Sequence, residues 1–281
     1  MDLTSITVGG MELAVASAGS GERGRVLLLH GFGGAKEDFT DWLDPLAAEG
    51  WQAIAYDQRG HGQSAHPDDE AAFSLQIFKD DLLALVDALG WDRFVLLGHS
   101  MGGMVAQLMA LSAPGRLSGL ILMDTSHGPI DGLDPEVVSM GQKVVREGGM
   151  TALLVAQKAA GPGPLDSPAH ERVVANREGY QEFCDRKALA TSPEMWLALS
   201  AQIVDQADRL AELESLSMPV LVVVGEQDQG LLGPSRAMGA AIPGAQLVVV
   251  PDAGHSPQFE APEAWWDAIR SFLGEVGEVP G

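Results

Sequence analysis

Between an apolar run, Phe94, Val95, Leu96 and Leu97, and an apolar stretch over 104–111 stands Gly98-His-Ser-Met-Gly102. A strand that passes into a helix across so few residues needs a very tight turn. Its central serine must hold a backbone conformation that L-residues avoid, and the small residues on either side relieve the crowding. The segment therefore reads as strand, elbow and helix, one step of an α/β sheet, with Ser100 presented as a candidate nucleophile.

The rest of the chain repeats that step. Short apolar runs at 25–30, 52–56, 94–98, 119–123, 220–225 and 246–250 read as strands, separated by helical patterns such as 75–89, 104–112 and 264–273. A hairpin over 6–8 and 11–16, split by Gly9-Gly10, precedes the parallel set. The alternation stops after Met123 and resumes at Val220. Between them lie helix starts at Asp134-Pro-Glu, Ser167-Pro and Ser192-Pro-Glu, and breaks at Gly148-Gly149 and Gly161-Pro-Gly-Pro. The expected organisation is a core over 1–125, a helical cap or lid over 126–207, and the remainder of the core over 208–281. The Gly-, Glu- and Pro-rich tail 274–281 is expected to fray.

Composition narrows the class. A chain of 281 residues, 46% hydrophobic, can bury one large core that carries an insertion. Its 39 acidic and 17 basic residues give a net charge of −22, which repels nucleic-acid phosphates and anionic lipid. The expected partner is a small molecule, with no nucleic acid and no membrane; oligomeric state is not readable. Cys184 is the single cysteine, so no internal disulfide or cysteine-rich metal site is expected, and a packing role suits it. The first residues carry no basic segment ahead of an apolar one, and no apolar run approaches the ~20 residues of a membrane span. A cytoplasmic protein is the expectation.

A serine nucleophile needs a base, an acid that holds the base, and donors for the oxyanion. His255 follows the last strand, and Asp228 follows the strand before it. Ser100, Asp228, His255 is the order expected on a sheet of this kind. Asp124, just past the 119–123 strand, could reach the same histidine instead or simply cap a turn. The oxyanion donors are expected to be the backbone N–H groups of Met101 and of Phe32 in His30-Gly-Phe-Gly-Gly34. His, Asp and Glu are too scattered to form a metal site, so no metal and no cofactor is expected.

His30-Gly-Phe-Gly-Gly34, Asp57-Gln-Arg-Gly-His-Gly-Gln-Ser64, Gly98-His-Ser-Met-Gly-Gly103, Gly225-Glu-Gln-Asp228 and Gly254-His255 together resemble the α/β-hydrolase superfamily, in its serine hydrolase and esterase branch with a helical cap. The resemblance spans about 25–273 and implies an eight-stranded, mostly parallel sheet flanked by helices, with the cap inserted after the sixth strand. A serine in the elbow argues against the dehalogenase and epoxide-hydrolase branches, which place an aspartate there.

The leading expectation is a serine carboxylic ester hydrolase acting on a small to medium, partly apolar ester. A carbon–carbon bond hydrolase of ring-cleavage products, a lactonase, a thioesterase, a perhydrolase and an acyltransferase would use the same residues. A ligand receptor with vestigial hydrolysis is the alternative from another class. Met140, Met150, Leu153, Leu154, Phe183, Met195 and Trp196 could line a pocket or merely pack the insertion, and His127 could line it or be exposed. His30, His61 and His99 read as loop braces, and Asp57 with Arg59 as a loop-bracing ion pair.

Overall fold

Runs of valine, leucine and isoleucine form the strands of one sheet in a computed structural model, which describes residues 1–130, 134–163 and 165–276. The strands are β1 (Asp2–Val8), β2 (Met11–Ala18), β3 (Gly24–Leu29), β4 (Trp51–Tyr56), β5 (Phe94–His99), β6 (Leu117–Met123), β7 (Val220–Gly225) and β8 (Gln246–Val250). Their order across the sheet is β1-β2-β4-β3-β5-β6-β7-β8. Strand β2 runs antiparallel to both neighbours, and β3 to β8 are mutually parallel.

Strands β5, β6 and β7 are buried along their whole length, because helices cover both faces of a parallel sheet. Alternate side chains enter two separate cores, as a period of two demands. Phe94, Leu96, Leu120, Leu122, Val220 and Val222 pack beneath α2 (Leu75–Ala88), α3 (Met101–Ser112) and Met238 of α9 (Gln229–Ala241). Val95, Leu97, Ile121, Met123, Leu221 and Val223 pack beneath α1 (Thr40–Ala48) and α11 (Pro262–Val276). Helix α11 presents Trp265, Ile269, Phe272 and Leu273 to that core at helical spacing. Val276 packs on the same side, which extends the helix into the tail that was expected to fray. The rest of that tail, 277–281, lies outside the described residues.

The longer helices described between β6 and β7 are α4 (Pro135–Ala160), α5 (Pro168–Asn176), α6 (Tyr180–Leu189) and α7 (Pro193–Val204). Three begin where the sequence signals them. Asp134, Ser167 and Ser192 accept N–H bonds from Glu136, His170 and Met195, each with a proline in the first turn. Helix α4 is broken at Gly149, whose φ of 67° is non-helical. Helix α6 carries no such signal, since its N-cap Gly179 is left-handed and offers no side-chain acceptor. Two short helices, α8 (Leu210–Leu213) and α10 (Pro257–Glu260), precede β7 and α11. Among the described residues no helix is long and apolar enough to cross a membrane.

Because β3 to β8 are parallel, the segments after their C-terminal ends emerge at one edge of the sheet. Ser100, Asp124, Asp228, His255 and the turn after β3 all belong to that edge. Gly225 is fixed by the same convergence: a Cβ there would stand 2.0 Å from the Gly254 carbonyl oxygen. Leu97 is fully buried at the end of this scaffold. Leu97→Ala is expected to cost about 2–5 kcal/mol, read as a lower denaturation midpoint in urea with an unchanged slope.

Candidate active site

Ser100 joins β5 to α3 with φ 54° and ψ −121°, a conformation costly for a residue with a side chain. Hydrogen bonds on every side hold it there. Its N–H donates to the Met123 carbonyl at 2.9 Å, and its own carbonyl accepts from Gly103 N–H at 2.8 Å and Thr125 Oγ1 at 2.7 Å. The turn after β3 closes on the same residue. A Cβ at Gly31 would meet Ser100 Cβ at 2.9 Å and Oγ at 3.4 Å. Beside it, Gly34 N–H closes the turn onto Gly31 O, and Gly33 N–H donates to His61 Nε2 at 3.2 Å. The N–H groups of Phe32 and Met101 have no acceptor among the described residues. They are thus free to receive an anionic oxygen.

His255 is held at several points. Its Nδ1 lies 2.7 Å from Asp228 Oδ2. Burial alone would push the Asp228 carboxyl up. The hydrogen bond and charge of His255 outweigh it and hold Asp228 below the ordinary carboxylate value. An ionised Asp228 only accepts, so Nδ1 carries the proton and Nε2 keeps the lone pair that a base requires. Asp228 also stands at the N-cap of α9, yet its side chain caps nothing there. Glu260 Oε2 accepts both peptide N–H groups flanking the histidine, Gly254 at 2.5 Å and Ser256 at 3.3 Å. His99 Nε2 donates to the His255 carbonyl at 2.7 Å. Burial, followed by the charge of His255, lowers His99 to about 3, so it braces as a neutral ring.

Asp124 is fully buried and receives Gly225 N–H on Oδ1 at 2.9 Å. It does not hold His255, whose partner is Asp228. Polar atoms of Asp124, Asp228 and His255 nonetheless lie within 4.8 Å of one another.

Residues 24–262 match the model of the alpha/beta hydrolase fold family. The chain belongs to the α/β-hydrolase family. It is 26% identical to the Bacillus subtilis (strain 168) protein provisionally named 2-succinyl-6-hydroxy-2,4-cyclohexadiene-1-carboxylate synthase, over 98% of this chain and 100% of that one. A malate-bound thermophilic esterase from Thermogutta terrifontis matches with TM-score 0.82 and 32% identity, over 98% and 99% of the two chains. The enol-lactonase from Burkholderia xenovorans LB400 matches with TM-score 0.83 and 25% identity, over 96% and 100%. These relatives make this α/β-hydrolase chain a hydrolase.

Two histidines of the α/β-hydrolase core brace loops. His30 Nδ1 donates to Gly31 O at 2.8 Å while its Nε2 accepts Gln58 N–H at 3.1 Å. His61 Nδ1 donates to Arg59 O at 3.1 Å and, as above, accepts at Nε2. Each ring therefore has one donor and one acceptor, and burial lowers both below the ordinary imidazole value. The expected Asp57–Arg59 pair does not form. Asp57 instead takes the buried Lys36 ammonium at 2.9 Å, and Arg59 grips Asp81 with two bonds of 2.5 Å. Adjacent positions in this turn serve different elements, and Lys36 is distant in sequence, so local reading could not pair them.

The α4–α7 segment treats the expected pocket residues unequally. Trp196 reaches the turn after β3, its ring centroid 6.0 Å from that of Phe32. Met195 is buried in the core beneath α2 and α3. Leu153 packs inside the segment with Val145, Met150 and Leu197, and Leu154 is half-buried. Met140 is 62% exposed, and Phe183 packs with Tyr180 and Phe259. His127 is tied to Asp208 by a 2.8 Å contact. Glu260, Lys36 and the half-buried Lys187–Asp38 pair between α6 and the turn after β3 had no sequence signal beyond ordinary charged residues.

Removing Asp57 leaves the buried Lys36 ammonium with Glu37 and Gln63 but strips the Lys36 and Gln63 peptide N–H groups of their acceptor. Asp57→Ala is expected to cost about 2–4 kcal/mol, measured by urea unfolding at neutral pH.

Proposed function

We propose that this α/β-hydrolase is a serine hydrolase that cleaves a small to medium, partly apolar carboxylic ester through a Ser100–His255–Asp228 triad. The observation that carries the reading is the Asp228–His255 contact of 2.7 Å beside a serine held at positive φ. His255 Nε2 takes the hydroxyl proton as Ser100 Oγ bonds to the carbonyl carbon. Phe32 and Met101 N–H groups receive the oxyanion, and Asp228 steadies the imidazolium. Collapse breaks the bond to the leaving alcohol, which His255 protonates, and leaves an acyl-enzyme. A water then gives its proton to His255 and attacks the acyl carbon, releasing the acid and restoring Ser100.

The helices between β6 and β7 act in this reading as a cap that selects the substrate. Trp196 against Phe32 supports an apolar wall beside the oxyanion donors. A lactone is the second reading, favoured by the likeness to an enol-lactonase over nearly the full length of both chains. A lactone is a cyclic ester, so the same residues would open it with the alcohol retained on the acid.

Ser100→Ala is expected to lower kcat by about 10⁶ and to abolish labelling by a fluorophosphonate, with the fold intact by circular dichroism. Turnover at the wild-type rate by that variant would end the proposal. Wild-type labelling with turnover below about one per minute across esters, lactones and thioesters would instead indicate a receptor. Trp196→Ala is expected to raise the preference for longer acyl chains about tenfold, as kcat/KM for octanoate against acetate esters.

A further inference from the structure

We propose that Asp124 is a protonated positioning residue: its carboxyl O–H holds Asp228, so the two acids share one negative charge behind His255. The inference rests on the triad reading above and gives a role to a buried carboxyl that the mechanism does not use.

Asp124 is the first residue after β6 and, like Ser100, has a positive φ, 42°. Its N–H donates to Val223 O at 2.9 Å, which fixes it between β6 and β7. Its side chain is entirely buried. Oδ1 accepts Gly225 N–H, whereas Oδ2 is buried with no donor among the described residues. An ionised carboxylate would leave that oxygen stranded at a cost of a full desolvation penalty.

Of the titratable groups facing it, the carboxyls of Asp228 and Glu260 make ionisation harder still. Asp228 comes from the segment after β7, His255 from the segment after β8, and Glu260 from α10. Two carboxylates in one buried spot cannot both ionise cheaply. Asp228 has the His255 N–H to stabilise its charge, and Asp124 has a single peptide N–H. The charge therefore stays on Asp228 and the proton on Asp124. Burial first, and then the charge of Asp228, push the Asp124 carboxyl well above the ordinary value. Protonation turns the stranded Oδ2 into a donor, and the Asp228 carboxylate, within 4.8 Å, is the acceptor beside it.

The arrangement has two consequences. The O–H bond fixes the plane of the Asp228 carboxylate, which aims Oδ2 at His255 Nδ1. It also keeps a second anion away from the imidazole. A doubly charged pair would stabilise imidazolium and hold His255 in the form that cannot accept the Ser100 proton.

Asp124→Asn keeps the shape, an acceptor and a donor without a titratable proton. It is expected to retain kcat within about threefold, with the acid limb of the kcat/KM profile unmoved. Asp124→Ala is expected to lower kcat about 10- to 100-fold at unchanged KM, as for losing a hydrogen bond to a charged group. A full downward unit of movement of the acid limb in Asp124→Asn would show that a negative charge had been removed, and wild-type kcat in Asp124→Ala that nothing is positioned. Either overturns the proposal.

Unfolding supplies a readout independent of activity, and stands if Asp124→Ala fails to fold. Above about pH 4 the unfolded chain ionises Asp124 while the native protein keeps its proton. Wild type therefore loses stability relative to Asp124→Asn as pH rises, and the difference in Tm widens steadily above about pH 4. A constant difference overturns the shared proton. Full turnover by Ser100→Ala would instead sink the triad reading, while the unfolding series still reports the Asp124 proton. An inactive Asp124→Asn beside an active Asp228→Ala would make Asp124 the acid and overturn both.

Discussion

Ser100 holds a backbone conformation that only its surroundings make tenable. The Met123 carbonyl takes its N–H, Thr125 and the first turn of α3 take its carbonyl, and Gly31 leaves room for its side chain. Each of these partners exists only because β3, β5 and β6 are neighbours in register. The strain at one residue is therefore sustained by the whole centre of the sheet, where β5, β6 and β7 are buried on both faces. In the proposed function that rigidity suits a nucleophile, since a mobile serine would spend binding energy on orientation.

Around that point, an acidic chain manages its interior with few free charges. Lys36 meets Asp57, Arg59 meets Asp81, and Lys187 meets Asp38. His30 and His61 are neutral rings whose donor and acceptor nitrogens are assigned by the groups they meet, and His99, also neutral, donates from Nε2. The buried Asp228 carboxylate meets no cation among the described residues and faces the His255 ring instead. The net charge of −22 thus belongs mainly to the surface and says little about the chemistry inside.

Much of the architecture was readable because it is local. Short continuous apolar runs marked the parallel strands, and Ser or Asp followed by Pro marked α4, α5 and α7. The strand ends marked Ser100, Asp228 and His255 as residues of one edge. What escaped notice was non-local or lacked a pattern. Helix α6 starts at a glycine with no capping side chain, and α11 runs past Gly274 because Val276 still finds the core. Glu260 resembles any helix-start acid until its oxygen is found between the two N–H groups that flank His255.

The sequence by itself determined that a serine would stand in a strand–helix elbow and that an acid and an imidazole would follow at later strand ends. Side-chain type and spacing suffice for that, because turn sterics and strand periodicity act over a few residues. Tertiary structure alone decided which of Asp124 and Asp228 meets the imidazole, and it left the other buried beside it. It also decided that Asp57 pairs with Lys36 and not with Arg59, and that Trp196 meets Phe32. Those choices turn on distances across the sheet and between layers. Hydrogen bonds and desolvation vary over fractions of an ångström there, and linear spacing carries no record of that scale.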